Sequence, residues 1–521
     1  MNEPTIAYRW GGADPAPALP DGVKAMLASA LGVTGPRPPA GAVPLPPAAL
    51  PGFALQALRE VCDQVRTDDQ ARLGHVAGMS TVDLLRLRAG DVSGAPDAVV
   101  LPADHDAVVA VLWACAANRI AVVPYGGGTS VVGGLRANRE GYTGLIALDL
   151  ARLGRLLAVD DVSRTATFEA GVRAPRAEEL LAAHGFTLGH FPQSFERASL
   201  GGFAATRSSG QASAGYGRFD QMAVGLRVAT PAGTLHLGRA PQAAAGPDLR
   251  QLFLGSEGAF GVITEVTVQV RPAPAARRYL GWRFAGFHEA TGAMRALAQD
   301  GPLPAVLRCS DEAETAVGAL TEGGEAPGGC LMITGLEGTE EAVAGIEPVL
   351  AGRLARAGAE PLGSEPGERW RHGRFAAPYL RDALLDAGAL VETVETAAFW
   401  RELPATYAAV RDALTAGLTD QGTPPLVLCH ISHVYPSGAS LYFTVVAAQA
   451  ADPVAQWRAA KAAAGDAIVA AGATISHHHG VGSDHIPWYR AEVGPHATAA
   501  LRAVKRALDP EGVLNPGILL L

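Results

Sequence analysis

The chain has 521 residues, 48% of them hydrophobic and 18% charged, with a formal net charge of -9 at pH 7. That length provides for two or more domains with well-filled cores. The acidic balance excludes a general attraction to nucleic acid and a polybasic membrane anchor.

Read in chain order, the N-terminal "MNEPTIAYRWGGADPAPALP" lacks the apolar core of a signal peptide. Residues 1–93 alternate Pro-rich loops with short helical patterns. "PDGVKAMLASALGV" carries apolar residues at helical spacing, and "PRPPAGAVPLPPAALPG" reads as a linker, since repeated prolines prevent a continuous helix. From residue 94 the texture changes. "DAVVLP" reads as a strand, "DHDAVVAVLWACAANR" as a helix, and "IAVVPY" as a buried strand running into "GGGTSVVGG". "GLIALDL" and "RTATFEAGV" are strands and "RAEELLAAHG" a helix. "DLRQLFLGSEGAFGVITEVTVQV" runs helix, glycine turn, strand. Residues 276–470 place the strands "AVLRCSD", "GCLMITGLEG", "PLVLCHISHVY" and "ASLYFTVVAAQ" in one sheet, covered by helices such as "YLRDALLDAGA" and "VAQWRAAKAAAGDAIVAAG". The last 50 residues hold "ATISHHHGVG", a helix "ATAALRAVKRALD" and the loop "PEGVLNPGILLL". The fold class is α+β, with boundaries expected near 93, 275 and 470.

Five scattered cysteines, odd in number and without a CxxC pair, speak against a disulfide framework and for a reducing compartment. The longest apolar stretch, residues 107–117, falls short of the roughly 20 residues that span a bilayer. A cytoplasmic protein is the expectation. Peripheral contact with a membrane and a homodimer stay open.

Three glycine-rich stretches carry the chemistry. In "PYGGGTS", Gly126, Gly127 and Gly128 let backbone N–H groups approach a ligand, and Thr129 and Ser130 add hydroxyls. Such a loop suits a diphosphate held by successive amides. It is neither the GxxxxGK loop of ATP-binding proteins nor a GxGxxG nicotinamide fingerprint. "TLGHFPQSFERASLGGFAATRSSGQASAGYGRFDQM" follows, with no strand or helix periodicity, and a structureless stretch of that length is usually functional. "GSEGAFGVITEV" is the third, with Gly255, Gly258 and Gly261 ahead of a strand.

In this order the three resemble the FAD-binding domain of the vanillyl-alcohol oxidase/p-cresol methylhydroxylase superfamily. The resemblance implies a two-subdomain FAD-binding domain over residues 94–275 and a substrate-binding cap over 276–470. The cap's antiparallel sheet is covered by helices, and residues 471–521 return to the flavin. It implies a diphosphate cradle at Pro124, Tyr125, Gly126, Gly127, Gly128, Thr129 and Ser130. Gln193, Ser194, Ser199, Gly201, Gly202, Ala205, Thr206 and Ser208 then line the flavin, with Glu257, Gly258, Gly261, Val262 and Ile263 from the third stretch. Some members attach the flavin through a histidine in the first loop. Thr129 stands at that position, so FAD is expected to bind non-covalently.

"RWGG", "LGVTG", "PYGGGTSVVGGL", "TLGHFPQSFE", "YLRD" and "SHHHGVG" are similar more narrowly to the alkylglycerone-phosphate synthases (alkyl-dihydroxyacetonephosphate synthases). That resemblance implies exchange of the acyl group of acyl-dihydroxyacetone phosphate for a fatty alcohol, without net redox, through a flavin adduct. A proton must leave the carbon beside the ketone, a carboxylate must depart, and an alcohol must lose its proton. Imidazoles suit those transfers. The resemblance points to His478 at the flavin, supported by His477 and His479. Tyr442 matches an active-site tyrosine, Arg308 and Arg381 match two site arginines, and His190 a further histidine. If "ATISHHHG" is a strand, His477 and His479 face one side and His478 the other.

Two departures bear on the substrate. Gln193 stands where these synthases carry Asp, and glutamine accepts no proton as a base. Ser483 follows "GVG" where the family pattern has a basic residue. The runner-up is an FAD-dependent D-2-hydroxy acid dehydrogenase or oxidase, whose motif HxGDGNxH supplies metal ligands. Here His433 fits the first histidine, Tyr442 replaces the second, and His478 occupies the carboxylate's place. A metal-free site is therefore the expectation.

Overall fold

The computed structural model describes residues 8–11, 16–40, 44–321 and 328–520. Most of the stretch read for a leader, and residues 41–43 of the Pro-rich linker, lie outside these. The rest of that linker forms neither helix nor strand until the helix Gly52–Val61.

Three main sheets organise the chain. The first orders Val65–Arg66, Ala98–Val100, Gly144–Asp149 and Ile120–Tyr125. Its last three strands are parallel, because the helix His105–Ala117 carries the chain from Ala98–Val100 back to the start of Ile120–Tyr125. Asp104 caps that helix by accepting the Ala107 N–H. The second sheet is antiparallel and orders Leu156–Asp160, Thr165–Glu169, Val262–Gln269, Ala223–Thr230 and Gly233–Leu237. The third has seven antiparallel strands in the order Glu360–Gly363, Ala276–Phe284, Cys330–Gly338, Val306–Ser310, Leu426–Ile431, Gly438–Ala448 and Ala389–Phe399. The four strands expected in one sheet are all in it, and Ala276–Phe284, Glu360–Gly363 and Ala389–Phe399 join them.

Two large apolar cores follow. One packs helices such as Leu403–Thr419 and Pro453–Ala470 on the seven-stranded sheet around Leu414, Phe443 and Trp457. The other joins the first two sheets around Val122, Phe168, Phe203 and Val266. The N-terminal segment divides between them. Val23 and Leu27 of Asp21–Ser29 enter the first core, whereas Ala54 and Leu58 enter the second. The C-terminal loop closes against the second core: the Val122 N–H donates to Val513 O, and the Asn515 N–H to Val122 O.

Two local expectations are corrected. The long Gly/Ser stretch is not structureless, since it forms three short helices, Leu200–Thr206, Ser213–Tyr216 and Phe219–Met222. Ser199 caps the first of them by accepting the Gly202 N–H. "ATISHHHG" is not a strand beyond a single bridge of Thr474 to Ala397. It bends round a buried carboxylate, so strand alternation does not govern its side chains. No helix among the described residues is long and apolar enough to cross a membrane.

Candidate active site

A cavity of about 490 Å³ lies between the two cores. Every cofactor residue expected from sequence lines it, from Pro124 to Ser130, from Gln193 to Ser208, and from Glu257 to Ile263. The three stretches meet through glycines. A Cβ on Gly127 would lie 2.4 Å from Arg197 O, and one on Gly258 2.7 Å from Pro124 Cγ. Any side chain there would push the loops apart.

The cradle fits a diphosphate. The N–H groups of Gly126, Gly127, Gly128, Thr129 and Ser130 donate to no other group among the described residues. Successive unpartnered amides at a cavity wall form an anion-binding concavity. Further along the wall, Gln193 Nε2 and Gln211 Oε1 are buried without partners. They offer one donor and one acceptor, which suits the edge of a flavin ring. Glu257 is buried with positive φ, and its Oε2 accepts the N–H groups of Val481 (2.9 Å) and Gly482 (2.7 Å). Burial outweighs those bonds and pushes its carboxyl up to about 7.

On the seven-stranded sheet, period-2 alternation aims Leu426, Leu428 and His430 at the cavity. Cross-strand register sets these in rows: Leu426 beside Val446 beside Val391, then Leu428, Thr444 and Thr393, then His430, Tyr442 and Glu395. Polarity thus rises along one face. Val23, Met26 and Val317 from two helices also line the cavity.

The histidine loop roofs the polar row. Glu395, 2% exposed, accepts from Ser476 Oγ and from the N–H groups of His477, His478 and His479 at 2.7–3.1 Å. Burial raises its carboxyl, but the imidazoles of His478, His479 and His477 and the Ser476 hydroxyl prevail and hold it well below the carboxylate range. Burial lowers all three imidazoles, His479 to about 3, so they are neutral at pH 7. His478 and His479 line the cavity, and His477 does not. His477 Nδ1 lies 3.0 Å from His478 Nδ1, and its Nε2 lies 2.6 Å from Tyr435 Oη. His478 Nε2 has no partner among the described residues. His433, His477 and His478 bring their ring nitrogens within 4.8 Å, a spacing that can hold a metal ion.

The other expected residues separate. Tyr442 lines the cavity, its ring stacked 4.8 Å from His430 and 6.0 Å from His478. Burial pushes its hydroxyl up to about 12, leaving a phenol donor. Arg381 donates to Met79 O (2.7 Å), has an unpartnered Nε, and makes no ion pair among the described residues. Arg308 is instead tied to Glu314. His190 is fully buried against Phe203 and Phe219, and reaches the cavity only through Ser208 Oγ (3.0 Å). Glu314, His430 and Glu395 were not singled out from sequence. The signal for Glu395 was available in "ALVETVETAAF", a β-branched run with acids inside it.

Comparison with known proteins decides the family. Residues 96–238 match an FAD binding domain, and residues 273–519 the C-terminal domain of FAD linked oxidases. An alkyldihydroxyacetonephosphate synthase of Trypanosoma brucei brucei is 34% identical over 502 residues, covering 91% of this chain and 82% of that protein. The chain belongs to the alkyldihydroxyacetonephosphate synthase family. A solved structure of such a synthase superposes with a TM-score of 0.83 at 30% identity, over 95% of this chain and 92% of the other. The p-cresol methylhydroxylase structure shares the fold, at a TM-score of 0.65 and 16% identity, covering 91% of this chain and 98% of the other. Like its family, this alkyldihydroxyacetonephosphate synthase-like chain is an FAD-linked enzyme.

Proposed function

We propose that the enzyme exchanges the acyl group of acyl-dihydroxyacetone phosphate for a fatty alcohol, forming the ether bond of an ether lipid. The observation that carries this reading is the row order on the sheet. An alkyl chain lying against Leu426, Val446 and Leu428 brings its polar end to His430, Tyr442 and the histidine loop. Each row advances about 6.7 Å along the strands.

Residues 94–275 form the cofactor-binding part, 276–470 the cap, and 471–521 the returning segment. The amides of Gly126 to Ser130 hold the FAD diphosphate without a covalent bond. Bound FAD supplies a nucleophilic ring nitrogen. Arg381, which makes no ion pair among the described residues, takes the substrate phosphate. His478 Nε2 takes the proton beside the ketone, with His477 fixing its ring and His479 supporting it. Tyr442 donates to the developing oxyanion. His190 orients Ser208 from behind the cavity wall. The relay needs no metal. The substrates are lipids, so a cytoplasmic protein making peripheral membrane contact, as a homodimer, fits the reading.

The test supplies acyl-dihydroxyacetone phosphate and a fatty alcohol and measures ether product. His478→Ala should lower turnover by roughly 10²–10⁴ while leaving the flavin absorbance intact. Absence of product, together with flavin bleaching by a D-2-hydroxy acid, would transfer the enzyme to the dehydrogenase class. The histidine cluster able to hold a metal is the feature that favours that second reading.

A further inference from the structure

We infer that His430, oriented by Glu314, is the base that deprotonates the incoming alcohol. The inference rests on the synthase reading and assigns one of its proton transfers to a residue outside the histidine run.

The geometry is that of a carboxylate–imidazole pair. His430 Nδ1 lies 2.9 Å from Glu314 Oε2. Glu314 is further held by Arg308 and by Ser310 Oγ, both on its Oε1. Burial favours its protonated form, but His430, Arg308 and Ser310 outweigh it and hold the carboxyl down at about 2. Glu314 is therefore ionised and accepts only, so Nδ1 carries the hydrogen. Burial keeps His430 neutral, which leaves Nε2 as a bare lone pair. That atom has no partner among the described residues, and His430 lines the cavity. An imidazole with one nitrogen fixed by a carboxylate and the other open to a reactant is the arrangement that accepts protons from hydroxyl groups.

Position selects the proton. His430 stands at the end of the apolar rows, cross-strand to Tyr442. The hydroxyl is the terminal polar atom of a fatty alcohol, so a chain lying along Leu426 and Leu428 presents it there. Gln193, which also lines the cavity, cannot take a proton, whereas His430 on the strand Leu426–Ile431, paired with Glu314 on the helix Glu312–Thr321, supplies a basic group. In the step, the alcohol O–H bond breaks and its proton goes to Nε2. The oxygen keeps the electron pair and forms the C–O bond to the carbon that lost the carboxylate, while that carbon's bond to the group that displaced the carboxylate breaks and that group keeps its pair. The proton then leaves to solvent, as an exchange of ester for ether plus carboxylate requires at neutral pH.

The experiment uses the FAD-loaded enzyme and separates the two halves of the exchange. Fatty acid released from acyl-dihydroxyacetone phosphate is measured without alcohol, and ether product with it. In His430→Gln the release of about one equivalent of fatty acid per flavin should persist, while ether formation falls by roughly 10²-fold or more. Added imidazole should restore part of the ether formation in His430→Ala. Glu314→Gln, which keeps an acceptor for Nδ1 without its charge, should lose about tenfold in ether formation alone. Unchanged ether formation in His430→Gln overturns the assignment. So does loss of fatty acid release in a variant that keeps its flavin absorbance and melting temperature. If the wild-type enzyme releases no fatty acid and makes no ether, the synthase reading itself fails, and the assignment with it.

Discussion

Residues 476–479 and residues 480–482 adjoin on one loop, and each stretch hangs its amides on a buried glutamate from a different part of the molecule. Glu395 comes from the edge strand of the seven-stranded sheet, and Glu257 from the third glycine-rich turn. Their carboxyls move in opposite directions. Glu395 meets four donors and is held ionised, whereas Glu257 meets two, keeps an unpartnered Oε1, and rises to about 7. In Glu395 the imidazoles of His478, His479 and His477 and the Ser476 hydroxyl outweigh burial, whereas in Glu257 burial outweighs the two amide bonds. The loop that carries His478 is thus anchored to an ionised carboxyl of the seven-stranded sheet and to a titratable one of the third glycine-rich turn.

Removing the Glu395 clamp should have the largest effect. Glu395→Ala leaves the Ser476 hydroxyl and three amides buried without an acceptor. The expected loss is about 3–5 kcal/mol, read as a fall in melting temperature and accompanied by loss of turnover as His478 drifts. Glu395→Gln retains one acceptor oxygen and should lose about half as much. A variant as stable as wild type would show that the loop is held by something other than this carboxylate. Because the folded-state value is depressed, the wild-type contribution is present above the unfolded value near 4.5 and disappears only as pH falls through the lower folded one.

Glu257 carries the opposite sign. Its folded value lies above its ordinary 4.5, so the folded protein binds the extra proton between pH 4.5 and about 7. Stability from this group is full below 4.5 and is lost as pH rises to 7, by about 3 kcal/mol. Glu257→Gln keeps an oxygen for Val481 and Gly482 and has nothing to titrate. It should melt higher than wild type at pH 8, with the advantage gone by pH 4.5. Parallel melting curves across that range would mean that Glu257 stays ionised, and the contrast with Glu395 would collapse.

The two clamps also differ in how far they could be read from sequence. The wall formed by the glycine-rich stretches is made by backbone, and glycine is the residue that lets backbone approach a ligand. The pattern "PYGGGTS", "LGGFAATRSSG", "GSEGAFGVIT" therefore recorded the cavity wall almost residue by residue. The wall on the seven-stranded sheet is made by side chains from a strand and a helix distant in sequence from the residues they hold. Glu395 lies 82 residues before the first histidine amide it holds, and Glu314 lies 116 residues before His430. A glutamate inside a β-branched run looks like an exposed alternating position, and only register reveals that it turns inward. The histidine run departs from strand alternation for the same reason. Its N–H groups are satisfied by a carboxylate instead of a neighbouring strand, so alternation never applied.

The smallest expected effect tests whether the two clamps act independently. Ser476 Oγ donates to Glu395 Oε1 (2.7 Å) and accepts the Gly480 N–H (3.1 Å), which joins the two stretches. Ser476→Ala should lower stability by about 1 kcal/mol, without a change in its pH dependence, because the hydroxyl does not titrate in this range. Combined with Glu257→Gln, the effects should add within about 0.5 kcal/mol if each glutamate holds its own stretch. A larger discrepancy would mean that Ser476 transmits the state of Glu257 to the backbone of His478. The protonation of the Glu257 carboxyl would then bear on where the His478 imidazole sits, and the loop would be one element with two anchors.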